Sequence, residues 1–224
     1  MQLLKSIEYF DPASVNVRCH VIGCGSVGSS VAELLARLGL RKISLYDFDT
    51  VSAHNIANQM FFDSDIKRLK TEAVRDMIVN INPEAKPFVE IFSEGWTDKI
   101  RLGGYVFLCV DNIDLRREIC EKNKMNHAIK GVFDWRTRLE EVQCFAADWS
   151  NPKQVKNLIS TMDFSHDEAK DATPRTACGV EIGVAPTIRL GTAYGIANFL
   201  NFVKGKGLTP MIVANAFNFN TITI

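Results

Sequence analysis

The chain has 224 residues, 26 of them basic and 26 acidic, so its formal charge is zero. That length fits one domain, and 46% apolar with 23% charged residues is ordinary globular chemistry that excludes a disordered or collagen-like chain. A balanced charge also argues against broad nucleic-acid binding, which depends on a surplus of Lys and Arg.

The first residues, MQLLKSIEYFDP, lack the long apolar core of a secretion signal, so a reduced, cytoplasmic protein is expected. RCHVI at 18–22 predicts a short strand, and GCGSVG follows directly. Val27, Val31, Leu34, Leu35 and Leu38 then recur at helical spacing, and Gly39 is a suitable stop. KISLYDFD predicts a second strand, and Ile66, Leu69, Ala73, Met77 and Ile81 predict a helix over 66–81 that ends before Pro83. GYVFLCVD is a continuous apolar run, as for a parallel strand covered on both faces. A polar helix over 114–128 and the strand IKGVFD complete an alternating β/α series. Such alternation predicts an α/β, Rossmann-like fold: an open, mostly parallel sheet with helices on both faces.

Beyond about residue 139 the rhythm changes. LEEVQCFAAD predicts a strand, whereas 150–177 is polar, without clear periodicity, and holds Asp163, His166, Asp167, Glu168 and Asp171. Such a stretch reads as a lid or a disordered segment. A tightly packed helix is expected at 184–203, where Gly191, Ala193, Gly195 and Ala197 permit close approach. Pro186, Arg189, Asn198 and Asn201 interrupt its apolar run, which favours a buried helix over a membrane span. The tail MIVANAFNFNTITI predicts a C-terminal antiparallel extension. The whole chain, 1–224, reads as one domain: a nucleotide-binding half at 1–138 and an extension at 139–224 that contains the polar crossover segment 150–177.

Gly23, Gly25 and Gly28 form GxGxxG between a strand and a helix. The first glycine permits the tight turn, the second lets a phosphate approach the backbone, and the third lets the helix pack on the strand. Free amides at that helix start attract phosphate oxygens. Asp47 closes the second strand, where a carboxylate can accept from both ribose hydroxyls. The choice between a dinucleotide and ATP comes from Asn55, Asn58, Gln59, Lys70 and Asp111. A triphosphate needs amide and ammonium donors, and a carboxylate to hold Mg²⁺. Cysteines 19, 24, 109, 120, 144 and 178 contain no CxxC pair, so a Cys-rich zinc site has no support.

Together GCGSVG, LYDFDTVSAHNIANQ, DIKRLKTEA, FLCVDN and CGVEIGVAPTIRLGTA resemble the ThiF/MoeB superfamily, which also contains the ubiquitin-activating enzymes. The resemblance spans residues 18 to about 203. It implies that a C-terminal carboxylate attacks the α-phosphate of ATP, giving an acyl adenylate and pyrophosphate. The implied partner is a small ubiquitin-like or sulfur-carrier protein ending in glycine, with no role for nucleic acid or membrane. Carried onto this sequence, Gly23, Gly25, Ser26 and Gly28 cradle the nucleotide, and Asp47 holds its ribose. Asp49 and Asn58 belong to the same binding set. Asn55 and Gln59 contact the phosphates or the metal region, Lys70 neutralises charge on the α-phosphate and pyrophosphate, and Asp111 binds Mg²⁺. The residue-level alternatives are a solvated helix lysine for Lys70 and a helix N-cap for Asp111.

Three features depart from the family. Asn58 stands where an arginine is usual, so Arg136 or Arg138 becomes the candidate cation for the γ-phosphate, with an edge salt bridge as the competing role of Arg136. Residues 1–17 contain no arginine to reach a neighbouring subunit. Cys178 lies where some relatives form a thioester or persulfide, against the alternative of an inert buried thiol. The resemblance also implies a homodimer, for which strand-like 211–224 could pair across a two-fold axis. Two other functions fit the same glycine loop: a non-catalytic nucleotide-binding scaffold, and an NAD-dependent oxidoreductase.

Overall fold

The computed structural model describes residues 2–172 and 182–224. Strands β1 (Cys19–Ile22), β2 (Ile43–Tyr46), β3 (Glu90–Phe92), β4 (Gly104–Leu108), β5 (Ile129–Arg138), β6 (Glu141–Asp148), β7 (Met211–Asn215) and β8 (Thr221–Thr223) form one sheet. Their order is β3-β2-β1-β4-β5-β6-β7-β8. Pairings from β3 across to β5 are parallel; those from β5 to β8 are antiparallel. The order reverses between β1 and β4, the switch point where ligands of open α/β sheets bind. The expected fold class is therefore the observed one.

Six α-helices flank the sheet among the described residues. Helix α1 (Ser26–Arg37) packs against α2 (Lys70–Ile81) and α6 (Ala185–Val203), and α3 (Ile113–Asn123) packs against α4 (Pro152–Ser160) and α5 (His166–Ala172). Each side has its own apolar cluster. One gathers Val31, Leu35, Ile43, Phe107, Phe133 and Phe199; the other gathers Ile22, Leu108, Ile119, Trp149 and Leu158. Strands β1, β2 and β4 are buried at every position, as parallel strands between two helical layers must be.

Several expected boundaries shift, each for a physical reason. Helix α2 begins at Lys70, not at 66, because Lys67 takes a left-handed conformation (φ 72°) and Leu69 bridges to Thr50. Helix α3 ends at Asn123, since Asn126 turns the chain by bonding the carbonyl of Leu102. Strand β3 was not foreseen at all. The segment read as structureless contains α4 and α5. Asn151 caps α4 by accepting from the amides of Lys153 and Gln154, Pro152 occupies the first turn, and Val155 and Leu158 are buried. Residues 173–177 of that segment, and Cys178, lie outside the described residues.

Candidate nucleotide cleft

The glycine loop leaves β1 and enters α1. Gly23 has φ 94°, and a Cβ there would meet the backbone of Cys109 and Val110 at 2.7 Å. A Cβ on Gly28 would strike the carbonyl of Gly23 at 1.8 Å, so the helix can pack this closely only on glycine. A Cβ on Gly25 would meet nothing within 4 Å, so the backbone there borders open space. Gly25 is also the N-cap of α1 and supplies no side-chain acceptor, which leaves the first amides of the helix without a side-chain partner.

That open space is a cavity of about 590 Å³. Gly23, Gly25, Ser26, Asp47, Asp49, Asn55, Asn58, Gln59, Lys70 and Asp111 all line it. Of the residues singled out in the sequence, Gly28 lies behind the loop and Arg136 does not line this cavity. Asp47 accepts from the amide of Cys24 at 2.6 Å and from that of Asp49 at 2.8 Å. Burial pushes its carboxyl up from the usual range, and those two amides oppose the shift. Lys70 is the first residue of α2; it is buried, with Nζ 2.8 Å from Asp49 Oδ2. It is therefore not the solvated helix lysine that was the alternative. Asn55 uses Oδ1 to accept from the amide of Ser52, and Gln59 Oε1 is buried with no hydrogen-bond partner among the described residues.

Asp111 follows β4. The N-cap of α3 is Asn112, whose Oδ1 accepts from the amide of Leu115, so Asp111 is not tied up as a cap. Its carboxylate is exposed at the cleft wall. Arg116, not foreseen as a site residue, fixes the turn that carries it. Its Nε donates to the Val110 carbonyl at 2.7 Å and its Nη1 to the Trp135 carbonyl at 2.6 Å. Arg116 also pairs with Asp134, which is fully buried. A sequence signal existed: Ile113, Arg116 and Cys120 share the buried stripe of α3.

Two other candidates have partners within the protein. Asn58 lines the cleft, yet its Nδ2 donates to the carbonyl of Gly183 at 3.3 Å and so ties the start of α6 to the cleft wall. Arg136 points to a second cavity of about 570 Å³. Its Nε meets Asp134 at 2.9 Å, and its terminal nitrogens bond Thr161 at 2.7 and 2.8 Å. The guanidinium lies 4.2 Å from the Phe145 ring centre. Bonds to Asp134 and Thr161 and the stacked plane anchor it in the wall of this second cavity, an arrangement that fits the ion pair weighed as its competing role. The two cavities share Asp111 and Thr137. The sequence also missed Phe48, His54, Glu94 and Trp96, which line the same cleft. Burial pushes the thiol of Cys24 well above its usual value and raises that of Cys109, which suits inert packing groups.

These features converge with family comparison: the ThiF family model matches residues 13–223. The chain belongs to the ThiF family. It is 33% identical to ubiquitin-like modifier-activating enzyme 5 of Culex quinquefasciatus, over 94% of this chain and 60% of that protein. It is 35% identical to the tRNA threonylcarbamoyladenosine dehydratase of Haemophilus influenzae, over 87% of this chain and 78% of that protein. The chain thus spans about 60% of the length of the first of these relatives. Among solved structures, E. coli MccB with ATP superposes with a TM-score of 0.69 at 16% identity, covering 95% of this chain and 65% of that one, which is a likeness of fold. Among the described residues of this ThiF-family chain, no helix is long and apolar enough to cross a membrane.

Proposed function

We propose that this ThiF-family chain uses ATP to adenylate a carboxylate, with the C-terminal carboxylate of a small ubiquitin-like or sulfur-carrier protein as the acid. The observation that carries this reading is the convergence of Lys70, Asp47, the open amides after Gly25 and the exposed carboxylate of Asp111 on one cleft. A dinucleotide cleft would share the glycine loop and Asp47 but has no need of the Lys70 ammonium or of Asp111.

The acid is already ionised at neutral pH, so no general base is required. Its oxygen attacks the α-phosphorus, the bond between the α-phosphorus and the bridging oxygen breaks, and pyrophosphate leaves. The residues then act by alignment and by neutralising charge. The amides at the start of α1 hold phosphate oxygens, and Asp47 accepts from the ribose hydroxyls. Lys70 offsets charge that gathers on the phosphates as pyrophosphate departs. Asp111 fits a Mg²⁺ site: it is a hard oxygen ligand with no competing hydrogen bond among the described residues, and Mg²⁺ is commonly held by one or two carboxylates plus phosphates and waters. Bound there, Mg²⁺ would supply further charge neutralisation. The second cavity joins the cleft at Asp111 and Thr137, beside the antiparallel strands, which supports entry of the acid from that side. A homodimer belongs to the same reading. Strand β8 leaves Ile222 and Ile224 exposed on the sheet edge, and light scattering that finds a monomer at micromolar concentration would remove that part.

One comparison favours a second acid. The threonylcarbamoyladenosine dehydratase is matched over a larger share of its own length, and a threonylcarbamoyl group on RNA also bears a free carboxylate. The zero formal charge of this chain weighs toward a protein acid. ATP–pyrophosphate exchange measured with a Gly-Gly-ended carrier, and separately with tRNA carrying threonylcarbamoyladenosine, decides between them. Exchange with the carrier alone is expected. Exchange with the tRNA alone would replace the acid, and no ATP binding at millimolar ATP and Mg²⁺ would end the adenylation reading.

A further inference from the structure

Lys70 occupies an unfavourable position for a cation. It is the first residue of α2, at the positive end of the helix dipole, and the helix has no side-chain cap. Its side chain is only 10% exposed. A buried ammonium in such a place is costly unless it is paired. The pairing group is Asp49, and the backbone fixes Asp49 from both sides. Its amide donates to Asp47 Oδ1 at 2.8 Å, and its carbonyl accepts from the amide of Lys70 at 2.9 Å. Its carboxylate then meets Lys70 Nζ at 2.8 Å. The bridge between Thr50 and Leu69, with bonds from Val51 to Arg68 and from Lys67 to Val51, locks the two segments together.

From this geometry we infer that Asp49 is a positioning residue that aims the Lys70 ammonium into the cleft before and during the reaction. The inference rests on the adenylation reading and deepens it. An ammonium has three donors in a compact point charge on a flexible stem. One donor goes to Asp49, and two remain for phosphate oxygens. The same residue ties down the carboxylate of Asp47. Asp47, Asp49 and Lys70 thus form one connected unit from the ribose end of the cleft to its phosphate end. A carboxylate near polyphosphate is repulsive in itself, and the contact of Asp49 with Lys70 Nζ at 2.8 Å offsets that cost.

The test is a double-mutant cycle on radiolabelled ATP–pyrophosphate exchange, with thermal unfolding as the control for folding. Asp49→Asn keeps the shape and half-exposed setting of the side chain. It should lower kcat about tenfold, the scale of a lost hydrogen bond to a charged group, with the KM for ATP unchanged or lower. Lys70→Ala should lower kcat more, and the double variant Asp49→Asn/Lys70→Ala should be no slower than Lys70→Ala alone. Losses that multiply in the double variant, or an Asp49→Asn variant with raised KM and unchanged kcat, would overturn the inference. Multiplied losses in the double variant, with a wild type that binds ATP, overturn the inference and leave adenylation standing, whereas a wild type that binds no ATP removes both.

Discussion

The parallel and antiparallel halves of the sheet solve the burial problem differently. In the parallel half, β1, β2 and β4 are buried on both faces, so the polar groups available to a ligand lie at the strand ends and in the turns after them. Gly23, Asp47 and Asp111 each follow such an end. In the antiparallel half one face is closed by α6: Val142 and Trp135 would collide with a side chain on Gly191 or Gly195. On the other face Phe145 and Ala147 are buried where α4 packs on β6, while Glu141, Gln143, Met211 and Val213 are only partly buried. Chemistry is therefore concentrated on the first half and an open surface on the second. The turn held by Arg116 joins them, since its guanidinium spans Val110 and Trp135.

That contrast can be broken at its strongest point first. Asp111→Ala and Lys70→Ala should each cut ATP–pyrophosphate exchange about 10²–10³-fold, the scale of losing one preorganised charge contact, with an unchanged melting temperature. Exchange within a few-fold of wild type in either would remove that residue from the reaction.

The next effect concerns the buried floor of the parallel half. His20 accepts the amide of Gly103 at Nε2 and so carries its proton on Nδ1, which donates to the Tyr46 hydroxyl. Burial pushes its pKa down from 6.5 to about 4. Between those values the unfolded chain binds the proton and the folded one does not, so stability is intact above pH 6.5 and falls as pH drops toward 4. The loss should reach about 3 kcal/mol in urea titrations and shrink in His20→Gln; equal slopes for the two proteins would exclude His20 as the source.

In the antiparallel half, Gly195→Ala would place a methyl 2.2 Å from the Trp135 ring. It should cost about 1–3 kcal/mol of stability, and a wild-type melting curve would show that α6 can move away. The smallest expected effect on the site is that of Arg136→Ala. The KM for ATP should stay within about twofold while the melting temperature falls, because Asp134 loses a partner and Phe145 its stacked cation. A KM raised tenfold would return Arg136 to the phosphates.

Much of the fold was legible because its signals are local. Continuous apolar runs mark β1, β2 and β4, and glycine spacing marks the loop. Strand β3 was missed because three half-exposed residues between Pro87 and Gly95 offer too little pattern. Helix α4 was missed although Asn151 and Pro152 form a recognisable start and Val155, Leu158 and Ile159 recur at helical spacing; it is short and lies inside an otherwise polar stretch. In the site, residue types in the glycine loop and at strand ends were readable, but the partners of each were not. Asn58 was placed in the nucleotide-binding set, and Arg136 offered as a γ-phosphate cation, from their chemistry alone. Folding adds partners remote in sequence: Gly183, 125 positions from Asn58, and Thr161, 25 positions from Arg136.

By itself, the sequence determined that a parallel α/β sheet would carry a glycine turn and an acid at the switch point. Those features follow from local sterics and from which residues can be buried. Tertiary structure alone decided which charges are free. Among the described residues the Asp111 carboxylate has no hydrogen-bond partner, Arg136 is bonded to Asp134 and Thr161, and Lys70 is held by Asp49. Whether a charge is neutralised depends on groups brought within about 3 Å by folding, and sequence spacing does not encode that distance.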